Sequence, residues 1–230
     1  MCNLYSMTKS QAAIRNLFKV DRDSSGNLPS LPAIFPDNPA PVVGTIDGER
    51  ELTMMRWGMP GPPQFGGAPI TNIRNTKSPH WRGSLMPANR CLVPATSFSE
   101  YNDVANPKSL KNPDGSPHPL AGKKDVVWFA LNEERPLFAF AGIWTNWHGV
   151  RGTKSNPIEG PHRVFGFLTT DPNSIVGPIH AKAMPVILRE DEWATWLTAP
   201  PEHALRLQTP LPDDELQIVA RGAAKQDAAL

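Results

Sequence analysis

At 230 residues, 40% apolar and 20% charged, the chain is long enough to bury a core of its own and has the composition of a globular rather than a disordered or fibrous protein. A formal net charge of +1 gives no global attraction for a polyanion, though it leaves a local basic patch open. No apolar run reaches the ~18 residues of a membrane-spanning helix. The start, Met1-Cys2-Asn3-Leu4-Tyr5, lacks the pattern of a secretory signal, and two cysteines make a poor disulfide framework, so a reducing cytoplasm is expected.

In chain order, Ser10 to Phe18 reads as a short helix. Ala13, Ile14, Leu17 and Phe18 share one face, and Ser10 can cap it. Asp21 to Pro41 is rich in Pro, Asp, Ser and Gly and reads as loop. Pro41 to Ile46 and Leu52 to Trp57 read as strands joined at the turn signal Asp47-Gly48. Pro60 to Pro69 is a second loop. Strand character follows at Arg90 to Pro94 and Phe98 to Tyr101. Asn102 to Lys124, dominated by Asn, Asp, Pro, Gly and Lys, is expected to be a loop or hairpin tip. Val126 to Ala130, Phe138 to Trp144, Arg163 to Thr169 and Met184 to Leu188 read as strands. Asp191 to Leu197 reads as a helix with acidic residues at its positive end, and Ala204 to Leu207 as a further helical turn. The tail from Gly222 to Leu230 is expected to fray. No repeat, Gly-rich phosphate loop or metal-ligand spacing is visible, so no cofactor and no metal are expected.

Cys2 is the most unusual residue. Removal of Met1, which a small second residue permits, would expose a thiol and an α-amine on adjacent carbons. Their reference pKa values, near ~8.5 and ~7.7, leave a useful fraction of each nucleophilic at neutral pH. Such a 1,2-aminothiol condenses with an aldehyde and closes a five-membered thiazolidine. The same thiol can instead attack an acyl carbon, and position alone does not choose between these reactions. Glu100, between aromatics at a strand end, suits proton transfer if desolvated, and is a surface carboxylate otherwise. His180, in a Pro-flanked loop entering an apolar strand, suits acid-base work or a structural role. Asn72 and Arg74 could hold an oxyanion or phosphate, or be ordinary turn residues. Trp57 could stack on an unpaired base or belong to the core.

Seven ordered segments give these residues a common context. They are Met1-Cys2-Asn3-Leu4-Tyr5, Trp57-Gly58-Met59-Pro60, Asn72-Ile73-Arg74, Arg90 to Tyr101, Phe140-Ala141-Gly142-Ile143-Trp144, Thr169-Thr170 and His180 to Leu188. In order and spacing, from residue 2 to about 197, they resemble the SRAP family of SOS response-associated peptidases and abasic-site processing proteins. Asn3 and Leu4 replace the family's usual Gly-Arg, Thr76 stands where a Glu is usual, and one extra residue lies between His180 and Met184.

The resemblance implies an α+β fold: a curved, barrel-like antiparallel sheet with short flanking helices, in a single domain over 2–221, with 222–230 a flexible tail. It implies a catalytic set of Cys2, Asn72, Glu100 and His180, with Trp57, Arg74, Thr170 and Lys182 contacting DNA. The implied activity is covalent capture of abasic sites in single-stranded DNA by a monomer in the DNA-damage response, as a cross-linking or lyase activity. A Cys2-dependent (auto)peptidase and a non-catalytic single-strand binding module are the alternatives.

Overall fold

A computed structural model describes residues 2–62 and 68–227. Its strands begin with β1 (Tyr5–Met7), β2 (Arg22–Asp23), β3 (Leu31–Ile34), β4 (Pro39–Ile46), β5 (Glu49–Trp57), β6 (Asn72–Ile73), β7 (Arg90–Ala95) and β8 (Ser97–Tyr101). They continue with β9 (Val126–Ala130), β10 (Phe138–Trp147), β11 (Val150–Thr153), β12 (Asn156–Glu159), β13 (His162–Thr170), β14 (Met184–Pro185), β15 (Ile187–Leu188) and β16 (Gln217–Gly222). The α-helices among the described residues are short: α1 (Gln11–Leu17), α2 (Trp193–Thr198) and α3 (Pro201–Ala204).

The Asp47-Gly48 turn forms as predicted. Both residues take positive φ, 54° and 83°, which matches the twist of the flanking strands β4 and β5. From this hairpin a barrel closes. β4 pairs with β7, β7 with β10, and β10 with β13, all antiparallel. β13 then returns to β5 in a parallel seam, Val164 opposite Arg56 and Phe165 opposite Trp57. Closure leaves these five strands without a free edge. The expected antiparallel barrel is therefore present, with one parallel seam.

A second, five-stranded sheet has the order β16-β9-β8-β1-β3. Thr96 alone separates β7 from β8, so one stretch of chain leaves the barrel and enters this sheet. β1 pairs with β8 and β3, which carries the amino-terminal residues to the junction of the two sheets.

Alternation on the strands fills the barrel with aromatic rings. Trp57 stacks on Phe167 with centroids 5.2 Å apart, and Tyr5 meets Trp57 edge-on at 5.1 Å. Each such pair adds about 0.5–1.5 kcal/mol beyond the area it buries. Ser10 caps α1 by accepting from the Ala13 amide, and Ile14 and Phe18 are buried beneath it. Phe18 in turn packs on Trp193 of α2, with centroids 4.6 Å apart.

Gly142 on β10 lies opposite Cys91 on β7. A Cβ there would stand 2.6 Å from Cys91 Sγ and 2.7 Å from Val93 Cγ2. Gly142→Ala is expected to destabilise the fold by about 1–3 kcal/mol through overpacking. The denaturant midpoint checks it, and an unchanged midpoint would contradict the close approach of β7 and β10.

Several expectations need correction. Asp21 to Pro41 is not all loop: it contains β2, only two residues long, and β3, interrupted by Pro32, whose pairing such short sequences hide. The strand expected over Met184 to Leu188 is split, because Val186 bridges Leu168 and Ala141 by its own backbone groups. The helix expected from Asp191 begins with a 3-10 turn over Glu190–Glu192. The tail keeps tertiary contacts as far as Asp227. Asp227 is buried, paired with Arg135 at 2.8 Å, and its amide donates to the Pro32 carbonyl. Residues 63–67, inside the loop expected over Pro60 to Pro69, and 228–230, at the end of that tail, lie outside the described residues.

Candidate active site

Cys2 lies just before β1 and is buried at 1% exposure. Its thiol donates to the Leu4 carbonyl at 3.5 Å, and that carbonyl also accepts the Ser99 amide of β8 at 2.9 Å. The Cys2 backbone is held from the other side. Asn72, on β6, is placed by the parallel pairing of β6 with β13. Its Nδ2 donates to the Cys2 carbonyl at 2.7 Å and to Thr71 Oγ1 at 2.8 Å. Thr71 Oγ1 donates to Asn3 Oδ1 at 3.2 Å. Residues 71 and 72 thus clamp residues 2 and 3. Asn72 Oδ1, also buried, has no hydrogen-bond partner among the described residues.

Glu100 on β8 is 4% exposed. Burial pushes its carboxyl up to about 7, and the charge of Asp103 acts in the same direction. Such a group populates both protonation states at neutral pH. Burial, followed by the charge of Glu100, raises the Cys2 thiol far above its ordinary value. The thiol therefore stays protonated at neutral pH.

His180 sits in the loop between β13 and β14, its amide donating to the Val176 carbonyl at 2.8 Å. Its Nδ1 lies 3.5 Å from Asp103 Oδ1. Burial lowers its pKa, the positive charge of Lys182 adds to that, and Asp103 opposes it. The imidazole is consequently neutral near pH 7. Asp103 is locked in place: its amide donates to the Ile179 carbonyl at 2.8 Å, and its Oδ2 accepts the Ala181 amide at 3.3 Å.

Of the four residues expected to be catalytic, Asn72 and Glu100 both act on Cys2, and His180 shares Asp103 with Glu100. Asp103 and Thr71 were missed. Asp103 lies at the start of a long polar stretch with nothing in its sequence to mark it. Thr71 precedes Asn72 in a segment too short to show periodicity.

The expectations for DNA contact fare unevenly. Trp57 is fully buried, its ring stacked on Phe167 and its Nε1 donating to the Thr71 carbonyl at 3.2 Å. No ring face is left for a base, so the expected stacking role is corrected to one in the core that supports Thr71. Arg74 is half-exposed and ion-paired with Asp171. Thr170 is buried, its hydroxyl donating to the Gln208 carbonyl at 3.3 Å. Gln208 Nε2 ties this region together by donating to the Arg74 and Thr169 carbonyls. Lys182 is exposed, two residues past His180. Among the described residues no three His, Cys, Asp or Glu side chains cluster so as to hold a metal ion.

The fold is shared with solved structures of low sequence identity. A protein from Bordetella bronchiseptica superposes with a TM-score of 0.67 at 22% identity, covering 97% of this chain and 99% of that one. One from Bacteroides thetaiotaomicron gives 0.66 at 20%, covering 94% and 90%. Among relatives by sequence is abasic site processing protein YoqW of Bacillus subtilis (strain 168), 28% identical over 181 residues, which span 74% of this chain and 70% of that protein. Abasic site processing protein YobE of the same organism is 26% identical over 181 residues, spanning 74% and 71%. The family model for SOS response associated peptidases (SRAP) matches residues 1–221, and the chain belongs to that family.

Proposed function

We propose that this chain captures abasic sites in single-stranded DNA by forming a thiazolidine between Cys2 and the open-chain sugar aldehyde. The observation that carries the reading is the clamp on Cys2. Its carbonyl is fixed by Asn72 Nδ2, 2.7 Å away, beside a buried carboxyl that titrates near 7. The names of the relatives YoqW and YobE, both abasic site processing proteins, support the abasic site as the target.

In this reading, removal of Met1 frees the Cys2 amine. The amine adds to C1′ of the aldehyde, and the resulting carbinolamine loses water to give an imine. The thiol sulfur then bonds to the same carbon while its proton passes to the nitrogen. The sum is aldehyde plus aminothiol giving thiazolidine plus water. Protonated Glu100 donates to the departing hydroxyl, and its carboxylate takes a proton during sugar-ring opening. Neutral His180, steadied by Asp103, relays protons at the sugar. Asn72 Oδ1, without a partner among the described residues, accepts from the amine or a sugar hydroxyl.

The raised thiol pKa favours this order over a peptidase reaction. Acyl transfer needs a thiolate at the outset, whereas here the amine attacks first and the thiol follows. Arg74 and Lys182 supply cations at the rim for the strand's phosphates. The reaction is expected to require an aldehyde. Abasic single strands should form an adduct resolved on a denaturing gel, and strands carrying the tetrahydrofuran analogue, which cannot open, should form none. An equal yield from the analogue would sink the reading.

A further inference from the structure

After β16 the chain doubles back over the second sheet. Trp128 Nε1, on β9, donates to the Ala224 carbonyl at 3.0 Å. Ser97 Oγ, on β8, donates to Asp227 Oδ2, and the Asp227 amide donates to the carbonyl of Pro32 on β3 at 2.9 Å. Residues 223–227 thus form a strap that crosses the strands in the order of the sheet, β9, β8, β1 and β3. Residues 223–226 are exposed, whereas Asp227 is buried at 4% exposure. Arg135, from the β9–β10 connection, makes that burial tolerable. Its Nε donates to both Asp227 carboxylate oxygens, at 2.9 and 2.8 Å, and its Nη2 donates to the Val219 carbonyl of β16 at 3.4 Å.

The carboxylate also sets the direction of a buried hydroxyl chain. Ser97 Oγ lies 2.7 Å from Ser6 Oγ, which lies 3.0 Å from Thr96 Oγ1, which lies 3.3 Å from Thr8 Oγ1. Each hydroxyl has one hydrogen to give. Ser97 gives its own to Asp227, so it accepts from Ser6, Ser6 accepts from Thr96, and Thr96 accepts from Thr8. Without the carboxylate this order has no fixed end.

Ser6 is the middle residue of β1, and β1 needs the support. It has three residues, its pairing with β8 covers only Tyr5 and Ser6, and its register with β3 is irregular between Tyr5 and Met7. Its position matters because Cys2 precedes it directly. The Leu4 carbonyl that accepts the Cys2 thiol also accepts the Ser99 amide, and the Leu4 side chain is buried with Val126 and Trp128 beneath Val219 and Ala220 of β16. The family match ends at residue 221, so every residue of the strap lies beyond it.

We infer that the strap over 223–227 positions the amino terminus: Asp227, held by Arg135, locks β1 through Ser97 and Ser6 and so fixes where Cys2 stands. Asp227 is a positioning residue and touches no reacting atom. That the order of β1 sets the rate of capture rests on the proposed function; the hold of the strap on β1 does not.

The test compares the full-length wild type, Asp227→Ala and Asp227→Glu by hydrogen exchange and by adduct formation with an abasic single strand. Thermal midpoints establish that each variant is folded at the assay temperature. In Asp227→Ala the peptide carrying β1 is expected to exchange about tenfold faster, with the peptides of β10 and β13 unchanged. The rate at saturating DNA is expected to fall roughly tenfold, with the half-saturating concentration unchanged, because the nucleophile is misplaced and the strand is still bound. Asp227→Glu keeps the carboxylate, and the exposed residues before it can absorb the extra methylene, so it is expected to recover most of both losses. Wild-type exchange of β1 in Asp227→Ala would overturn the inference. So would equal loosening of β1, β10 and β13, which is a general loss of stability, or faster β1 exchange with an unchanged rate. A wild type that forms no adduct at all would remove the proposed function, while the exchange of β1 alone would still decide whether the strap holds it.

Discussion

Cys2→Ala is expected to abolish the heat-stable adduct with abasic single-stranded DNA. Alanine, like cysteine, permits removal of Met1 and so leaves an α-amine at the same place. That amine can still form an imine, but no sulfur is present to close the ring. The imine hydrolyses on heating and is trapped only when borohydride reduces it. The structural cost should be small, because the change removes one sulfur whose hydrogen bond to the Leu4 carbonyl is long, at 3.5 Å. Cys2→Ser is expected to behave similarly or to form a weaker oxazolidine. A denaturing gel run after heating gives the answer. If Cys2→Ala forms a heat-stable product at the wild-type rate without reductant, another residue is the nucleophile.

Glu100→Gln is expected to slow adduct formation by about 10²–10⁴-fold at saturating DNA while leaving affinity for the strand little changed. Glutamine keeps the shape and removes the ionisable proton. The wild-type pH–rate profile should show an inflection near pH 7, where the buried carboxyl titrates, and the variant should lack it. The same shift has a stability consequence of definite sign. The folded state holds the Glu100 proton more tightly than the unfolded chain does. The contribution is therefore fully present below pH 4.5 and is lost as pH rises through 7. The wild type should lose roughly 2–3 kcal/mol over that window relative to Glu100→Gln. Parallel denaturant titrations at pH 5 and pH 8 would show it, and equal pH dependence in the two proteins would contradict the burial of an ionising carboxyl.

Much of this site was legible in the sequence because its parts lie in segments with strong local signals. The Asp47-Gly48 turn fixed a hairpin, and the run from Arg90 to Tyr101 placed Glu100 near a strand end. The amino-terminal position singled out Cys2 through the chemistry of an aminothiol. What escaped were features that exist only in three dimensions. β1 and β3 are short, and β1 also pairs with β8, far along the chain. β6 is two residues long, yet its register with β13 is what brings Asn72 to Cys2. Trp57 was misassigned because a tryptophan beside a Pro-Gly loop looks the same in sequence whether it faces solvent or the Phe167 ring. The tail looked small and polar, but buried Asp227 and its Arg135 partner, 92 residues away, dock it.

The most direct measurement is intact and peptide-level mass of the protein after incubation with an abasic single-stranded oligonucleotide. The account predicts a chain lacking Met1, joined to the oligonucleotide with loss of one water, and a modification that maps after digestion to the peptide beginning at Cys2. A stable adduct on a chain that still carries Met1, or one that maps to any residue other than Cys2, would contradict it.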